Sequence, residues 1–222
     1  MLLADLANLQ DVRNLAAAFQ QKYDQLHVLI NNAGLFMLRR AETAEGFEMT
    51  FGVNHLAEFL LTNLLLDVVK SSAPARIINV SSAAHERAQL NLDDLQGKKS
   101  FSGMRAYGQS KLANLYFTYE LARRLEGTGV TANALHPGFV KTNFGRNNPG
   151  GRVIGFISAL FGISAQKGAL TSIYLATSPD VEGVSGQYFV KCKAVPSSKV
   201  SQDAEIARQL WDTSEQLTGL AS

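Results

Sequence analysis

A tyrosine and a lysine one helical turn apart are the residues of this sequence best suited to acid–base chemistry. Tyr107 and Lys111 are four residues apart inside a helical pattern, which places both side chains on one face of the helix. A phenol with a pKa of about 10 exchanges protons poorly at neutral pH, but a neighbouring ammonium is expected to lower that pKa. Because such pairs also occur by chance on helix surfaces, this pair needs support from other residues.

The elements that must position this pair follow an alternating pattern. Apolar runs that favour strands cover residues 1–4, 28–31, 77–81, 131–135 and 187–191. Helical patterns cover residues 8–24, 43–71, 103–126, 165–178 and 203–217, with a loop and a short apolar helix ending near residue 163. This alternation predicts an α/β fold with a doubly wound parallel sheet that helices cover on both faces.

Short polar or glycine-bearing segments follow four of the predicted strands. They are Asp5, residues 31–34, residues 81–82 and residues 136–138. In an open parallel sheet, a ligand binds beyond the carboxyl ends of the strands. The pattern therefore predicts that these segments line one cleft.

Five motifs, in order along the chain, resemble those of the short-chain dehydrogenase/reductase (SDR) family. They are Asn31-Asn32-Ala33-Gly34, Asn54, Asn79-Val80-Ser81-Ser82, Tyr107 with Lys111, and Pro137-Gly138. The amino-acid sequence resembles the retinol-dehydrogenase-like branch of that family at residues 52–56, 75–79, 110–114 and 136–138. The resemblance covers nearly the whole chain and implies a Rossmann-like sheet and an NAD(P)-dependent oxidoreductase that acts on CH–OH groups.

The resemblance implies a role for each of four catalytic candidates. Tyr107 supplies a proton to the carbonyl oxygen that hydride transfer reduces, and Lys111 acts electrostatically and binds the nicotinamide ribose. Ser82, second in its serine pair, holds the substrate oxygen. Asn54 holds a water that connects Lys111 to solvent. A second interpretation of Asn54, as a cap on a helix irregularity, stays open.

The same resemblance implies the cofactor contacts. The candidate cofactor-binding residues are Asp5, Leu6, Asn31, Ala33, Gly34, Tyr107, Lys111, Pro137, Gly138, Val140 and Thr142. Asp5 also fits a helix cap, and the glycine-bearing segments also fit simple turns. The branch resemblance favours NADP(H) over NAD(H) as the cofactor.

An apolar segment with glycines near its ends, residues 143–164, has the family position of a substrate lid. Residues 83–106 are expected to form another wall of the pocket. An apolar lid suits a lipophilic aldehyde, ketone or alcohol, since burial yields about 25 cal/mol per Å² of apolar surface. Packing of these side chains on the body of the protein, or contact with a membrane surface, is the alternative.

Composition limits the other functions. The 222 residues suit a single domain, 1–222, and 21 basic against 19 acidic residues give no support for nucleic-acid binding. The four histidines lie on separate predicted elements without metal-ligand spacing, so no metal is expected. No apolar run reaches the roughly 18 to 20 residues of a transmembrane helix. The sequence thus predicts a cytoplasmic protein, with attachment to a membrane surface left open.

The resemblance also predicts an N-terminally truncated family member. The first βαβ unit, with its glycine-rich phosphate-binding turn, is expected to be missing, so residues 28–31 should form a sheet edge. Weak cofactor binding by this chain is the expected consequence. A second function therefore stays open: a catalytically silent fragment that serves as a binding or assembly module. An exposed apolar edge also makes a homo-oligomer plausible.

Overall fold

The structure is a computed structural model, and it describes residues 1–140 and 162–220. The helices are α1 (Leu9–Lys22), α2 (Met49–Phe51), α3 (Ala57–Leu64), α4 (Leu66–Ser71), α5 (Gly103–Arg124), α6 (Ala165–Thr177) and α7 (Ala204–Thr218). The strands are β1 (Val28–Asn31), β2 (Ala75–Val80), β3 (Val130–His136), β4 (Tyr188–Val190) and β5 (Lys193–Ala194). A π-helical turn, Gly52–Leu56, joins α2 to α3.

The five strands form one sheet in the order β1-β2-β3-β4-β5. The first four are parallel, and each parallel pair is joined by a helical connection. The short β5 pairs antiparallel with β4. The predicted parallel α/β sheet is therefore confirmed, and the antiparallel β5 strand is an addition that the sequence pattern did not predict.

Helices cover both faces of the sheet. Neighbouring residues of one strand point to opposite faces, and each contacts helices on its own side. Ile77 of β2 packs in one cluster with Phe117 of α5 and Trp211 of α7. The next residue, Ile78, packs in another cluster with Leu175 of α6. This alternation of buried contacts confirms the doubly wound arrangement.

Two helix starts show why the predicted helices form where they do. The side chain of Asn8 accepts hydrogen bonds from the main-chain N–H groups of residues 10 and 11, and Asp203 caps α7 in the same way. The observed bounds of α1, α5, α6 and α7 lie within two residues of the predicted ones. The periodic pattern of apolar residues was sufficient to predict these bounds, because each of these helices buries one apolar face.

Two predicted elements need correction, and one is confirmed. Residues 1–4 form no strand, because no neighbouring strand supplies a hydrogen-bonded ladder in the described part of the chain. The predicted helix at 43–71 begins at Met49 and is interrupted by the π-helical turn and again at Leu65. The expected edge is confirmed, since β1 borders only β2 and its Ile30 is 40% exposed.

The predicted lid falls almost entirely outside the described residues. Residues 143–161 are not described, and within 162–164 only Ile163 makes a strand-like contact, a parallel bridge to Val140. The lid stays a prediction.

Trp211 is the side chain that fastens α7 to the body of the fold, and its removal should destabilise the protein. Its ring lies 4.9 Å from that of Phe59 and 5.7 Å from that of Phe117, and the Arg124 guanidinium lies 4.1 Å from its centroid. We expect Trp211→Ala to lower the free energy of unfolding by about 3 to 5 kcal/mol in urea denaturation, since it empties a buried site. Trp211→Phe should lose less, and equal losses would contradict this assignment.

Candidate active site

The segments predicted to line a cleft come together at one edge of the sheet. Because β1, β2 and β3 are parallel and in register, Asn31, Val80 and His136 mark the carboxyl ends of neighbouring strands. The main chain continues from these ends into residues 32–34, 81–82 and 137–138. The predicted clustering is confirmed for these three segments.

Ser82 and Tyr107 lie close to each other at this edge. Hydrogen bonding to the Ser82 side chain acts to lower the pKa of the Tyr107 phenol, and the Ser82 hydroxyl also accepts from the main-chain N–H of Ala84 at 3.2 Å. Ser81, the other serine of the pair, is buried, and its hydroxyl donates to the main-chain carbonyl of Lys111 at 2.7 Å. The structure thus distinguishes the two serines: Ser81 fastens β2 to α5, and Ser82 faces the tyrosine.

The expected effect of Lys111 on the phenol is not what the structure shows. Burial raises the pKa of Tyr107, and the Ser82 hydrogen bond offsets part of that rise. The Lys111 ammonium instead donates to the carbonyl of Val80 at 2.8 Å. The prediction that Lys111 lowers the pKa of Tyr107 is therefore wrong for this state of the protein, because the desolvation of the phenol outweighs every favourable contact.

Asn54 lies in a helix irregularity and bridges two elements, while its predicted role in holding a water stays a prediction. It lies in the π-helical turn, fully buried, and its amide exchanges two hydrogen bonds with the main chain of Leu35, at 2.7 and 2.9 Å. The same amide donates to the hydroxyl of Ser110 at 3.0 Å. Ser110 in turn donates to the carbonyl of Tyr107 at 2.8 Å. Asn54 therefore connects the loop after β1 to the helix that carries Tyr107; π-helical turns are frequent at functional sites.

A buried polar cluster that the sequence analysis missed lies behind Lys111. Glu58 is 3% exposed, and its carboxyl accepts a hydrogen bond from the Asn114 amide at 2.9 Å. Burial raises the pKa of Glu58 to about 8, although Lys111 and Asn114 both act to lower it. Burial also lowers the pKa of Lys111, and Glu58 offsets part of that shift. The two buried groups therefore each favour the charged form of the other.

His55 closes this cluster on the side of α7. Its Nε2 atom lies 2.9 Å from the hydroxyl of Ser214, and burial lowers its pKa to about 4. One signal could have revealed the cluster, namely Glu58, the one charged residue of α3, four residues after Asn54.

The raised pKa of Glu58 predicts a stability that depends on pH. A carboxyl whose pKa rises from 4.5 to about 8 on folding stabilises the fold at low pH and loses that contribution as the pH rises through 8. Urea denaturation at pH 6 and pH 9 should show that Glu58→Gln removes part of the wild-type loss of stability, since an amide can still accept from Asn114. The exposed Glu182→Gln is the control. Equal pH dependence in all three proteins would show that Glu58 does not titrate in this range.

A glycine and an exposed alanine form the open part of the loop after β1. A Cβ atom on Gly34 would lie 3.3 Å from Asn54 Oδ1 and 3.4 Å from Lys111 Nζ, so glycine allows the main chain to approach both groups. Ala33 is exposed. Asn31, in contrast, turns its side chain inward and donates to Thr62 and to Asn79, both at 2.8 Å. The Asn31 side chain is thus bonded within the protein, and its predicted contact with a cofactor stays a prediction.

The loop after β3 has the turn that its sequence predicted. Gly138 has a φ of 89°, a conformation that favours glycine, and follows Pro137 directly. Val140 lies against α6, where a Cβ atom on Gly168 would come within 2.5 Å of its side chain. Thr142 lies outside the described residues.

The N-terminal candidates have local structural roles. Asp5 is exposed and accepts a hydrogen bond from the main-chain N–H of Ala7 at 2.9 Å, closing a turn. It does not cap α1, since Asn8 does so. Leu6 packs with Leu9 of α1 against Ala57 and Leu60 of α3. Their predicted contacts with a cofactor stay predictions.

Part of the segment between Ser82 and Tyr107 borders a cavity of about 1110 Å³. Residues 83–84, 86–91 and 104–106 are among those that line it, whereas the side chains of Ser82 and Tyr107 are not. The cavity therefore adjoins the catalytic pair without containing it. Its role as a wall of the substrate pocket stays a prediction.

Within residues 1–140 and 162–220, no group of three or more histidine, cysteine, aspartate or glutamate side chains could hold a metal ion. In the same part of the chain, every helix is too short or too polar to cross a membrane.

The residues at this edge fit a nicotinamide dinucleotide. The open main chain at Gly34, the buried ammonium of Lys111 and the left-handed turn at Gly138 lie at the carboxyl ends of neighbouring strands. A flat ring and its ribose need such a combination of close main-chain approach and a few convergent polar groups.

Comparison with known proteins gives consistent matches. Residues 1–151 match the sequence profile of the short chain dehydrogenase family. Human retinol dehydrogenase 14 is 50% identical over 223 residues, which cover 97% of this chain and 66% of that protein. The chain thus spans just under two thirds of the length of this curated relative.

Two solved structures are similar in fold and in sequence. An uncharacterized protein from Mycobacterium paratuberculosis is 35% identical, with a TM-score of 0.76, over 97% of this chain and 74% of that one. A blue fluorescent protein from a metagenomic library, solved in complex with NADPH, is 28% identical, with a TM-score of 0.63, over 84% of this chain and 71% of that one.

Proposed function

This chain belongs to the short chain dehydrogenase family, and from that premise we propose that it is an oxidoreductase. The proposed reaction transfers a hydride between a nicotinamide cofactor, NAD(P)(H), and a lipophilic carbonyl or alcohol. The resemblance to the retinol-dehydrogenase-like branch is confirmed by the match to human retinol dehydrogenase 14.

The single observation that carries the proposal is that Ser82 and Tyr107 lie close enough for the serine side chain to lower the pKa of the phenol, at the carboxyl edge of a parallel sheet. A bound nicotinamide would supply or accept the hydride. The phenol of Tyr107 holds the proton that the reduced oxygen needs. The hydroxyl of Ser82 donates to that same oxygen and stabilises its developing negative charge.

Lys111 and Asn54 support this pair from within the protein. The buried ammonium of Lys111 adds a positive charge behind the site, where low dielectric strengthens its effect on a developing anion. We propose that Lys111 also binds the ribose of the cofactor. Asn54 holds the loop after β1 and, through Ser110, the main chain at Tyr107. The water proposed for the proton relay would lie beside the Asn54 amide.

For the cofactor we propose NADP(H) rather than NAD(H). A solved relative at 28% identity holds NADPH, which supports this preference. The remaining predicted contacts, from Asp5, Leu6, Ala33, Pro137, Val140 and Thr142, belong to the same proposal. Fluorescence titration with NADPH and NADH measures the preference directly, and tighter binding of NADH would contradict it.

For the substrate we propose a lipophilic small molecule that is an aldehyde, a ketone or an alcohol. The name of the human relative, a retinol dehydrogenase, points to a long apolar alcohol. The predicted lid at 143–164 would add apolar surface, and the predicted cytoplasmic location and homo-oligomer stay predictions. No specific observation favours the other function considered, a silent binding or assembly module.

The test of this function is reduction of straight-chain aldehydes by the purified protein with NADPH, followed by loss of nucleotide absorbance. We expect kcat/KM to rise about threefold to fourfold for each added methylene, since each buried CH₂ contributes about 0.8 kcal/mol. Turnover that does not depend on chain length would contradict the lipophilic substrate. No turnover with any carbonyl compound would contradict the reaction itself.

A further inference from the structure

His85 is a fully buried histidine three residues after Ser82, and the proposed reaction gives it no role. It lies in a 3₁₀ helix, Ala83–Arg87, that Ser82 begins. Its Nδ1 atom lies 2.6 Å from the carbonyl oxygen of Ser82. Its Nε2 atom lies 3.3 Å from the main-chain nitrogen of Ser198. The ring therefore touches both the catalytic serine and a segment more than one hundred residues away.

These two contacts determine the protonation of the ring. A carbonyl oxygen can only accept a hydrogen bond, and a main-chain N–H can only donate one. Nδ1 must therefore carry a proton and donate to Ser82, and Nε2 must be unprotonated and accept from Ser198. Only a neutral imidazole in this one tautomer satisfies both partners.

The Ser198 end of this connection is itself fixed to the fold. The hydroxyl of Tyr119, on α5, donates to Ser197 at 2.7 Å, and Ser197 lies 2.7 Å from the hydroxyl of Ser201. We name residues 197–201 the C-terminal turn. His85 thus joins the serine after β2 to a turn that α5 already holds.

The carbonyl of Ser82 receives two hydrogen bonds from the same residue. The main-chain N–H of His85 donates to it at 3.1 Å, and the ring donates at 2.6 Å. Together they determine the orientation of the peptide plane that follows Ser82. Because the Ser82 side chain stands on that backbone, its direction toward Tyr107 depends on the same plane.

We propose that His85 is a positioning residue that orients Ser82 for the reaction and couples it to the C-terminal turn. The inference rests on the proposed oxidoreductase function. In this proposal, the neutral ring of His85 aligns Ser82, whose hydroxyl holds the substrate oxygen.

The groups around the ring favour its neutral form down to acidic pH. Burial lowers the pKa of His85, although the Ser82 carbonyl and the neighbouring Glu86 act in the opposite direction. His136 from β3 also interacts with the ring electrostatically. Tyr188 from β4 packs edge-on against it, with centroids 5.1 Å apart. Protonation would put a hydrogen on Nε2 that points at the N–H of Ser198, so the link to the C-terminal turn is lost in acid.

Two substitutions separate the two contacts. In His85→Asn the amide nitrogen can replace Nδ1 and donate to Ser82, whereas in His85→Gln the amide oxygen can replace Nε2 and accept from Ser198. We expect kcat to fall about threefold in His85→Asn and about tenfold or more in His85→Gln, since only the second loses the bond to Ser82. In the wild type, kcat should fall at acidic pH as His85 gains a proton. This fall should be absent in His85→Asn, because an asparagine side chain does not titrate. The exposed His27→Gln is the control and should match the wild type.

A spectroscopic measurement distinguishes two possible failures, that of the positioning role of His85 and that of the proposed oxidoreductase function. Nitrogen NMR of the labelled histidines should show His85 protonated on Nδ1 at neutral pH, with its pKa lowered from the ordinary value of a histidine. If that tautomer is found and the wild type reduces no carbonyl, the coupling of His85 to Ser198 stands and the oxidoreductase function fails. A proton on Nε2 at neutral pH, or a kcat in His85→Gln equal to that of the wild type, would overturn the positioning role.

Discussion

Replacing Tyr107 with phenylalanine is expected to lower kcat for carbonyl reduction by about 100-fold to 10,000-fold, the usual contribution of a positioned general acid. The phenol lies beside the Ser82 side chain, which acts to lower its pKa, and its ring packs against Phe36 with centroids 5.9 Å apart. Phenylalanine keeps that packing and removes only the hydroxyl. The affinity for NADPH should therefore change little, and stopped-flow kinetics with fluorescence titration measures both quantities.

The matched control for this substitution is Tyr174→Phe. Tyr174 lies on α6 with its ring near Phe189, 6.5 Å between centroids, on the opposite face of the sheet from α5. The same chemical change there should leave kcat at the wild-type value. Unchanged turnover in Tyr107→Phe would remove Tyr107 from its proposed role.

Replacing Lys111 with methionine is expected to lower kcat/KM by about 100-fold or more without lowering stability. The loss of activity follows from removing a buried positive charge that stands behind the developing oxyanion. The stability should change little, because the desolvation of charge that lowers the pKa of Lys111 is relieved while the hydrogen bond to the Val80 carbonyl is lost. Steady-state kinetics and urea denaturation at neutral pH give the two values.

The Lys111 prediction is specific because kcat/KM is expected to fall while the free energy of unfolding is not. The exposed Lys167→Met on α6 is the control for loss of a lysine charge, and it should change neither quantity by much. A large drop in the unfolding free energy of Lys111→Met would mean that the lysine mainly stabilises the fold through Val80 and Glu58. Activity near the wild-type level would remove it from the site.

Much of the fold could be predicted because its signals are local. The largely apolar runs at β2 and β3 predict buried parallel strands, and the order of strands and helices then places the residues after them at one edge. The choice of Ser82 over Ser81 came from family resemblance. The structure supplies its physical reason, since the Ser81 hydroxyl is occupied by the α5 main chain.

The rest depends on contacts between residues far apart in sequence. Glu58 and Asn114 lie on different helices, and no local pattern indicates that their side chains meet. The pKa of Tyr107 depends on how deeply the folded chain buries the phenol, which the spacing to Lys111 does not reveal. The segment 1–4 has the composition of a strand, but a strand also requires a partner to pair with.

The central claim is that Ser82, Tyr107 and Lys111 form a site for hydride transfer, and an isotope label tests it most directly. The protein is incubated with an apolar aldehyde and NADPH that carries deuterium at C4, on each face of the ring in turn. Mass spectrometry should find deuterium on the alcohol carbon with one of the two labelled cofactors, and Tyr107→Phe should form that product at least about 100-fold more slowly. An alcohol without deuterium from either cofactor, or no alcohol at all from the folded protein, would contradict the claim.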